Sequence, residues 1–177
     1  MSKLNVRRYL KLIAPGTPLR AGIDRILHGR TGALLVLGDG PLVRQVCSGG
    51  FDLNVEFTEQ KLRELAKLDG AIILSKDRTR IVAAGVHLVP AGDLPTAETG
   101  TRHRSADRTA QATGVPVITV SASMSTISLF LDSRRHLVET VPQDISLPTQ
   151  TLATLPRLHH RLCALPAPFD LHDPAAH

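Results

Sequence analysis

Aromatic side chains are scarce in this sequence, at 3% of 177 residues, with one Tyr and no Trp. Proteins that hold single-stranded nucleic acid stack successive bases on several aromatic rings, so this composition argues against that class of binding. Hydrophobic residues still make up 42% of the chain, which predicts a core of Leu, Ile, Val and Ala. The length fits one compact domain with a short appendage.

Cysteine and long apolar runs are scarce as well. The two cysteines, Cys47 and Cys163, form neither a disulfide framework nor a zinc-binding spacing. No apolar run approaches the roughly 20 residues that span a bilayer. Arg7, Arg8 and Lys11 also interrupt any signal-peptide core. We therefore expect a cytoplasmic protein with no membrane partner.

Positive charge is concentrated at the start of the chain. The net charge is +5, and residues 1–30 carry seven Lys and Arg residues and one acid, Asp24. The basic residues are spaced along the sequence, which favours a solvated helix face. A patch that binds nucleic acid or acidic lipid is the alternative interpretation.

Apolar periodicity, broken by Gly and Pro, predicts helices that alternate with short buried strands. This pattern is typical of an α/β domain with a mixed central β-sheet flanked by helices. The predicted helices span 4–13, 18–28, 58–67 and 104–113, and the predicted strands span 33–37, 43–46, 53–57, 71–74, 81–89, 117–120, 127–131 and 136–138, with 43–46 as a hairpin partner of 33–37.

The last part of the sequence has a different composition. Half of the 12 prolines lie after residue 141. A helix is predicted over 149–165, but Pro156 should break or kink it. We therefore expect one domain over residues 1–145 and a Pro-rich tail over 146–177.

An Asp-Gly pair lies between a predicted helix and a predicted strand. Asp69 would present its carboxylate near the strand end, and Gly70 would let another group approach the backbone. Ligands of layered α/β proteins often bind at such strand ends. An ordinary turn gives the same pair of residues, so this signal is weak by itself.

A second polar cluster lies at the start of the helix predicted over 104–113. Backbone N–H groups at a helix start favour an anion, and two arginines there are unfavourable unless an anion balances them. Guanidinium groups also match phosphate oxygens. The cluster comprises Glu98, Thr99, Gly100, Thr101, Arg102, His103, Arg104 and Ser105.

Together the two clusters provide an acid for a divalent cation and a cationic cradle for phosphates. Phosphoryl and nucleotidyl transfer need this equipment, because positioning and charge neutralisation carry most of the catalysis. The sequence has neither a Walker A motif nor a Gly-x-Gly-x-x-Gly motif. A P-loop or Rossmann-type nucleotide site is therefore not predicted.

The two clusters resemble the signature motifs of the diadenylate cyclase (DAC) domain, through Asp69-Gly70-Ala71 and Arg102-His103-Arg104. The similarity covers about residues 15–140 and keeps the order of the motifs. The branch that it resembles is that of the DNA-integrity scanning proteins, DisA. The additional segments that carry this resemblance are 30–34, 88–90, 94–96, 98–105 and 120–121.

The resemblance implies a role for each matching position. Asp69 would hold Mg²⁺ or Mn²⁺ and help to activate a ribose 3′-hydroxyl. The nucleotide pocket would be lined by Gly70, Ala71 and Leu88. The triphosphate would be gripped by Thr101, Arg102, His103, Arg104 and Ser105, with a phosphate contact from Ser121.

The resemblance also implies how the enzyme assembles. Two domains face each other, and each presents one ATP. Each 3′-hydroxyl attacks the α-phosphate of the opposite ATP, which gives cyclic di-AMP and two pyrophosphate. A homo-oligomer, at least a face-to-face dimer, would complete the active site.

DisA proteins continue into a helical linker and a helix-hairpin-helix DNA-binding domain. Here residues 147–165 resemble only the start of that linker, so DNA binding by that route is not expected. Two alternatives to an active cyclase stay open. One is a silent sensor of ATP or cyclic di-AMP, and the other is a basic nucleic-acid-binding module formed by residues 1–30.

Overall fold

The structure is a computed structural model that describes residues 3–138, with side chains from residue 6 onward. The predicted tail over 146–177, its helix over 149–165 and the predicted domain boundary at 145 lie outside the described residues.

Helices and strands follow one another along the described chain. The helices are α1 (Lys3–Leu12), α2 (Pro18–His28), α3 (Pro41–Val46), α4 (Glu59–Leu65) and α5 (Thr101–Thr113). The strands are β1 (Ala33–Leu37), β2 (Cys47–Ser48), β3 (Phe51–Glu56), β4 (Ala71–Leu74), β5 (Arg80–Leu88), β6 (Val117–Ser121), β7 (Thr126–Leu131) and β8 (Arg134–Val138).

The strands form one eight-stranded mixed sheet in the described residues. Its order is β2-β5-β4-β1-β6-β7-β8, and β3 also pairs with β5. β1 and β4 are parallel, whereas the other described pairs are antiparallel. The predicted fold class, a mixed sheet flanked by helices, is confirmed.

Both faces of the sheet are covered, so its central strands are buried on two sides. Along β1, Leu35 and Leu37 belong to the cluster that includes α2 and α4, while Leu34 and Val36 belong to the cluster that includes α3 and α5. This two-sided burial explains why β1 reads as a continuous apolar run rather than an alternating pattern.

Short local signals define the helix ends. Thr17 precedes α2 and its Oγ1 accepts a hydrogen bond from the Arg20 N–H at 3.3 Å, with Pro18 at the first helical position. Gly114 ends α5 with a left-handed φ of 66°, a conformation that glycine adopts without steric cost. α5 begins at Thr101 rather than at about residue 104.

One predicted strand is wrong. Residues 43–46 belong to helix α3, not to a hairpin partner of β1. Pro41 follows Gly40 and occupies the start of the helix, where its fixed φ and missing N–H favour helix initiation. β1 also pairs with β4 on one side and β6 on the other, so neither of its edges is open for a hairpin.

The packing of α4 on α2 gives a stability prediction. Leu62 is fully buried, and its Cδ2 lies 2.7 Å from the place where Gly22 would carry a Cβ. We expect Leu62→Ala to lower the free energy of unfolding by about 2–5 kcal/mol, because it opens a cavity between the helices. Urea denaturation measures this, with the half-exposed Leu42→Ala as control; equal losses in both variants would contradict the packing.

Candidate functional site

Four strand ends meet at one edge of the sheet. Because β1 and β4 are parallel, both begin at this edge; because β5 and β6 run antiparallel to them, both end there. We call this the site edge and define it by Gly32, Gly70, Leu88 and Ser121. The N-terminus of α5 lies at the same edge, since Arg102 contacts Gly32.

The Asp69-Gly70 turn lies directly against β5. Gly70 has φ +110°, and a Cβ there would lie 2.7 Å from the carbonyl carbon of Gly85 and 2.8 Å from the Val86 oxygen. Only glycine combines this φ with such a close backbone approach. The exposed Asp69 carboxylate accepts a hydrogen bond from the Gly70 N–H at 3.0 Å. The turn therefore holds a carboxylate at the site edge.

The peptide groups of Leu88 face the same region. The next N–H along the strand, that of Val89, donates to the Val46 oxygen at 2.7 Å, toward β2. Because successive residues of an extended strand alternate their peptide directions, the N–H and C=O of Leu88 face the opposite side, where β4 lies. The β4–β5 register ends at Ala71 opposite Val86, so Leu88 presents a donor and an acceptor beyond the start of β4.

The first turn of α5 is a positive site. Within residues 3–138, no side chain caps its Gly100 N-cap, and its first turn contains no acid. An α-helix leaves its first N–H groups without partners inside the helix, and Arg102 and Arg104 add two positive charges there. These groups favour a bound anion.

Arg102 lies across the sheet edge in a space that a missing side chain provides. A Cβ on Gly32 would overlap the Arg102 guanidinium and lie 3.2 Å from the Val120 oxygen. The guanidinium therefore lies over the start of β1 and beside the end of β6. Thr101 and Arg104 are exposed, and Ser105 is half-buried.

His103 is oriented differently from the two arginines. Its ring packs edge-on against Phe130, with centroids 6.0 Å apart and an interplanar angle of 71°. Its Nε2 is buried and has no hydrogen-bond partner among the described residues. Burial lowers the pKa of His103, and the Arg135 charge lowers it further, against the opposing effect of Glu98. Together these effects favour the neutral form of the imidazole.

Ser121 completes the site edge at the end of β6. Its Oγ lies 3.3 Å from the Ser123 Oγ within the β6–β7 turn. The side chain is half-buried, so a hydroxyl is available on the far side of Gly32 from the Asp69 turn.

The described residues contain no group of three or more His, Cys, Asp and Glu side chains arranged to hold a metal ion. Asp69 thus contributes a single carboxylate.

Among the helices that the structure describes, none is long and apolar enough to cross a membrane.

The structure brings most of the sequence-predicted site residues to the site edge. His103 instead packs against Phe130, which pairs with Val117 at the other end of β6 from Ser121. The residues brought together are Asp69, Gly70, Ala71, Leu88, Thr101, Arg102, Arg104, Ser105 and Ser121.

Sequence reasoning missed three features of the site, namely the roles of Gly32 and Gly85 and the partner of Glu98. Gly32 makes room for Arg102, and Gly85, with φ +66°, bulges β5 where the Asp-Gly turn packs. An isolated glycine inside a strand pattern signals such a bulge, so Gly85 was accessible from sequence. Glu98 pairs with Arg135 at a separation of 37 residues, which no local pattern reveals.

A known protein family matches most of this chain. The sequence profile of the DAC family, described as the DisA bacterial checkpoint controller nucleotide-binding domain, matches residues 20–135. This is well over half of the chain and includes every residue of the site edge.

Curated relatives share high identity with this chain. The DNA integrity scanning protein DisA of Cutibacterium acnes is 60% identical over 153 residues, which cover 86% of this chain and 44% of the relative. The protein of the same name from Parafrankia sp. is 54% identical over 156 residues, covering 88% and 44%. The chain therefore spans less than half the length of these relatives.

Solved structures share the fold. A double mutant of DacA from Staphylococcus aureus aligns over 77% of this chain and 93% of its own, with a TM-score of 0.57 and 20% identity. A protein from Bacillus cereus described as a hypothetical membrane spanning protein aligns over 70% and 62%, with a TM-score of 0.61 and 22% identity. From the profile match and the identity to these relatives, this chain belongs to the diadenylate cyclase (DAC) family and, within it, to the DisA type.

Proposed function

We propose that this chain is a diadenylate cyclase, which condenses two ATP into cyclic di-AMP and two pyrophosphate. The observation that carries the proposal is the convergence at one sheet edge of a carboxylate, a backbone donor–acceptor pair and a cationic helix start. The carboxylate would hold the metal ion, the donor–acceptor pair would bind the base, and the cationic helix start would bind the triphosphate.

Leu88 is the proposed contact for the base. The adenine edge carries an amino donor beside a ring-nitrogen acceptor, and the Leu88 C=O and N–H supply the complementary acceptor and donor.

The first turn of α5 is the proposed triphosphate site. Its N–H groups and the guanidinium groups of Arg102 and Arg104 neutralise phosphate charge. Hydroxyl groups of Thr101, Ser105 and Ser121 add donors at the same edge. A bound triphosphate offsets the repulsion between the two arginines and the positive end of the helix.

Asp69 is the proposed ligand of Mg²⁺ or Mn²⁺. Mg²⁺ usually binds through one or two carboxylates together with substrate phosphates and water, so a single exposed carboxylate beside a triphosphate site fits this ion. When bound, such an ion polarises the phosphoryl oxygens and favours ionisation of a nearby hydroxyl. Asp69 would hold the ion at the site edge, where the turn fixes its carboxylate.

The reaction joins two nucleotides held by two copies of the chain. The ribose 3′-oxygen of one ATP forms a bond to the α-phosphorus of the other, while the bond from that phosphorus to the bridging oxygen of the β-phosphate breaks. Pyrophosphate leaves, and the hydroxyl proton passes to solvent. A second step of the same kind, in which the two nucleotides exchange roles, releases the second pyrophosphate and closes the ring.

The border of the site edge supports a second copy as the partner. Three large apolar side chains, Leu68, Val89 and Met124, each adjoin a site-edge element, and Val89 and Met124 are 64% and 58% exposed. Exposed apolar groups gathered around a site indicate an interaction surface. A facing copy covers them and brings the second ATP to the first.

Removing the Asp69 charge tests the chemistry. We expect Asp69→Asn to lower cyclic di-AMP formation from ATP and Mn²⁺ by roughly 100-fold or more, since it removes a charge that acts on the transition state. Mass spectrometry measures the product. Asp39→Asn, at the opposite edge of the sheet, is the control, and wild-type turnover in Asp69→Asn would refute the metal role. Wild-type protein that binds ATP but forms no product would instead be a sensor.

The position of the Arg102 guanidinium over Gly32 gives a prediction on ATP affinity. Arg102→Ala should weaken ATP binding about ten- to hundredfold, because hydrogen bonds to a charged group contribute about that much affinity. Gly32→Ala should weaken it in the same direction, because a Cβ there displaces the guanidinium.

The two substitutions should not add. In a double-mutant cycle measured by calorimetry, Gly32→Ala should have little further effect once Arg102 is Ala. Gly40→Ala is the matched control, since its Cβ would meet no atom within 4 Å. Fully additive losses would mean that Gly32 acts independently of Arg102.

The second copy is tested at the apolar border. We expect Met124→Asp to reduce the rate per subunit and to shift the ATP-bound protein toward monomer in sedimentation, while ATP affinity stays unchanged. Leu42→Asp, also half-exposed but on α3 near the opposite edge, should change neither. An active Met124→Asp monomer would contradict the facing-copy mechanism.

A further inference from the structure

We propose that Arg135 of β8 is a positioning residue for the triphosphate site, because its ion pair with Glu98 holds the segment that leads into α5. The inference rests on the proposed function, since it concerns how the first turn of α5 is kept ready for phosphates. Neither residue lies at the site edge.

The segment before α5 has no regular secondary structure, and α5 itself holds one side of it. The Arg108 Nε donates to the Leu94 oxygen at 2.9 Å, and the Gln111 Nε2 donates to the Pro95 oxygen at 3.0 Å. These bonds fix residues 94 and 95 but reach no further along the chain toward Gly100.

The sheet holds the other side. The Arg135 Nη1 lies 3.1 Å from the Glu98 Oε2, and its Nε donates to the fully buried Ser128 Oγ at 3.0 Å. The hydrogen bond to Ser128 fixes the guanidinium on the sheet. The side chains of Arg135 and Glu98 are 30% and 18% exposed, so solvent ions screen this pair less than a surface pair. Glu98 lies two residues before Gly100, the N-cap of α5.

The first turn of α5 needs such an anchor. It has no capping side chain or acid among the described residues, and Arg102 and Arg104 repel the positive helix end. These features favour fraying when no anion is bound. A fixed residue 98 limits the conformations that residues 99–104 can adopt, so the phosphate-binding groups are oriented before ATP arrives.

Close packing does not replace the ion pair. A cavity of about 490 Å³ lies between the segment, α5 and strands β7 and β8, and both Glu98 and Arg135 line it. Because this space is open beside the pair, loss of either charge leaves the segment free to move into it.

His103 reports on the pair directly. Arg135 lowers its pKa and Glu98 raises it. The other charged groups nearest to it along α5 are Arg102 and Arg104, and Asp107 lies one turn further on and is buried; the β7 residue against the ring is the uncharged Phe130. Loss of Arg135 should therefore raise the pKa of His103, whereas loss of Glu98 should lower it.

The test compares Arg135→Met and Glu98→Gln, with Arg134→Met as control on the same strand. Amide hydrogen exchange without nucleotide should accelerate severalfold over residues 96–104 in both variants and not in the control. The KM for ATP should rise severalfold with kcat within about twofold. Arg135→Lys, which keeps the charge, should restore part of the protection.

The His103 pKa, followed by NMR titration, should move up in Arg135→Met and down in Glu98→Gln. Unchanged exchange over residues 96–104 in both variants would overturn the positioning role, as would pKa shifts of the same sign. Exchange and titration are measured without substrate, so they decide this inference even if the wild-type protein forms no cyclic di-AMP. A wild-type protein that forms no cyclic di-AMP would count against the proposed function and not against this inference.

Discussion

The parallel pairing of β1 with β4 is the constraint on which the rest of the site depends. It is the one parallel pair among the described strands, and it makes both strands begin at the same edge. Their antiparallel neighbours, β5 and β6, must then end there. If β4 ran the other way, the Asp69 turn and the start of β1 would lie at opposite edges, and no loop rearrangement would bring the carboxylate to the cationic helix.

Two glycines, Gly70 and Gly32, complete the site that this strand pairing positions. Gly70 lets the Asp-Gly turn lie against the bulge of β5, and Gly32 leaves the space that the Arg102 guanidinium fills. The helix start adds an electrostatic imbalance, since it gathers positive charge with no acid in its first turn and no capping side chain among residues 3–138. Such local conflicts with the rules of stability are expected at functional sites, and a bound anion, which we propose to be the triphosphate, would resolve this one. The chain therefore trades local stability at the edge for affinity toward an anion.

Much of this arrangement was readable from the sequence, for identifiable physical reasons. The strand 33–37 and the helix 18–28 carry strong local signals, an apolar run and a Thr-Pro start, and both were predicted correctly. Residues 43–46 were not, because a short apolar run fits a helix or a strand equally well and Pro41 decided it. The contact of Arg102 with Gly32 and the Glu98–Arg135 ion pair are tertiary contacts between distant positions in the sequence. Those contacts follow from sheet order, which local periodicity does not specify.

The central claim is that one sheet edge gathers the metal-binding, base-binding and phosphate-binding groups. Paramagnetic broadening of amide signals by Mn²⁺, bound with a non-hydrolysable ATP analogue, tests it most directly. The account predicts broadening at Gly32, Gly70, Leu88, residues 101–105 and Ser121, and its loss in Asp69→Asn. It also predicts sharp signals at Leu37 and Gly114, at the far ends of β1 and α5. Broadening centred on that far edge, or broadening that persists in Asp69→Asn, would contradict the account.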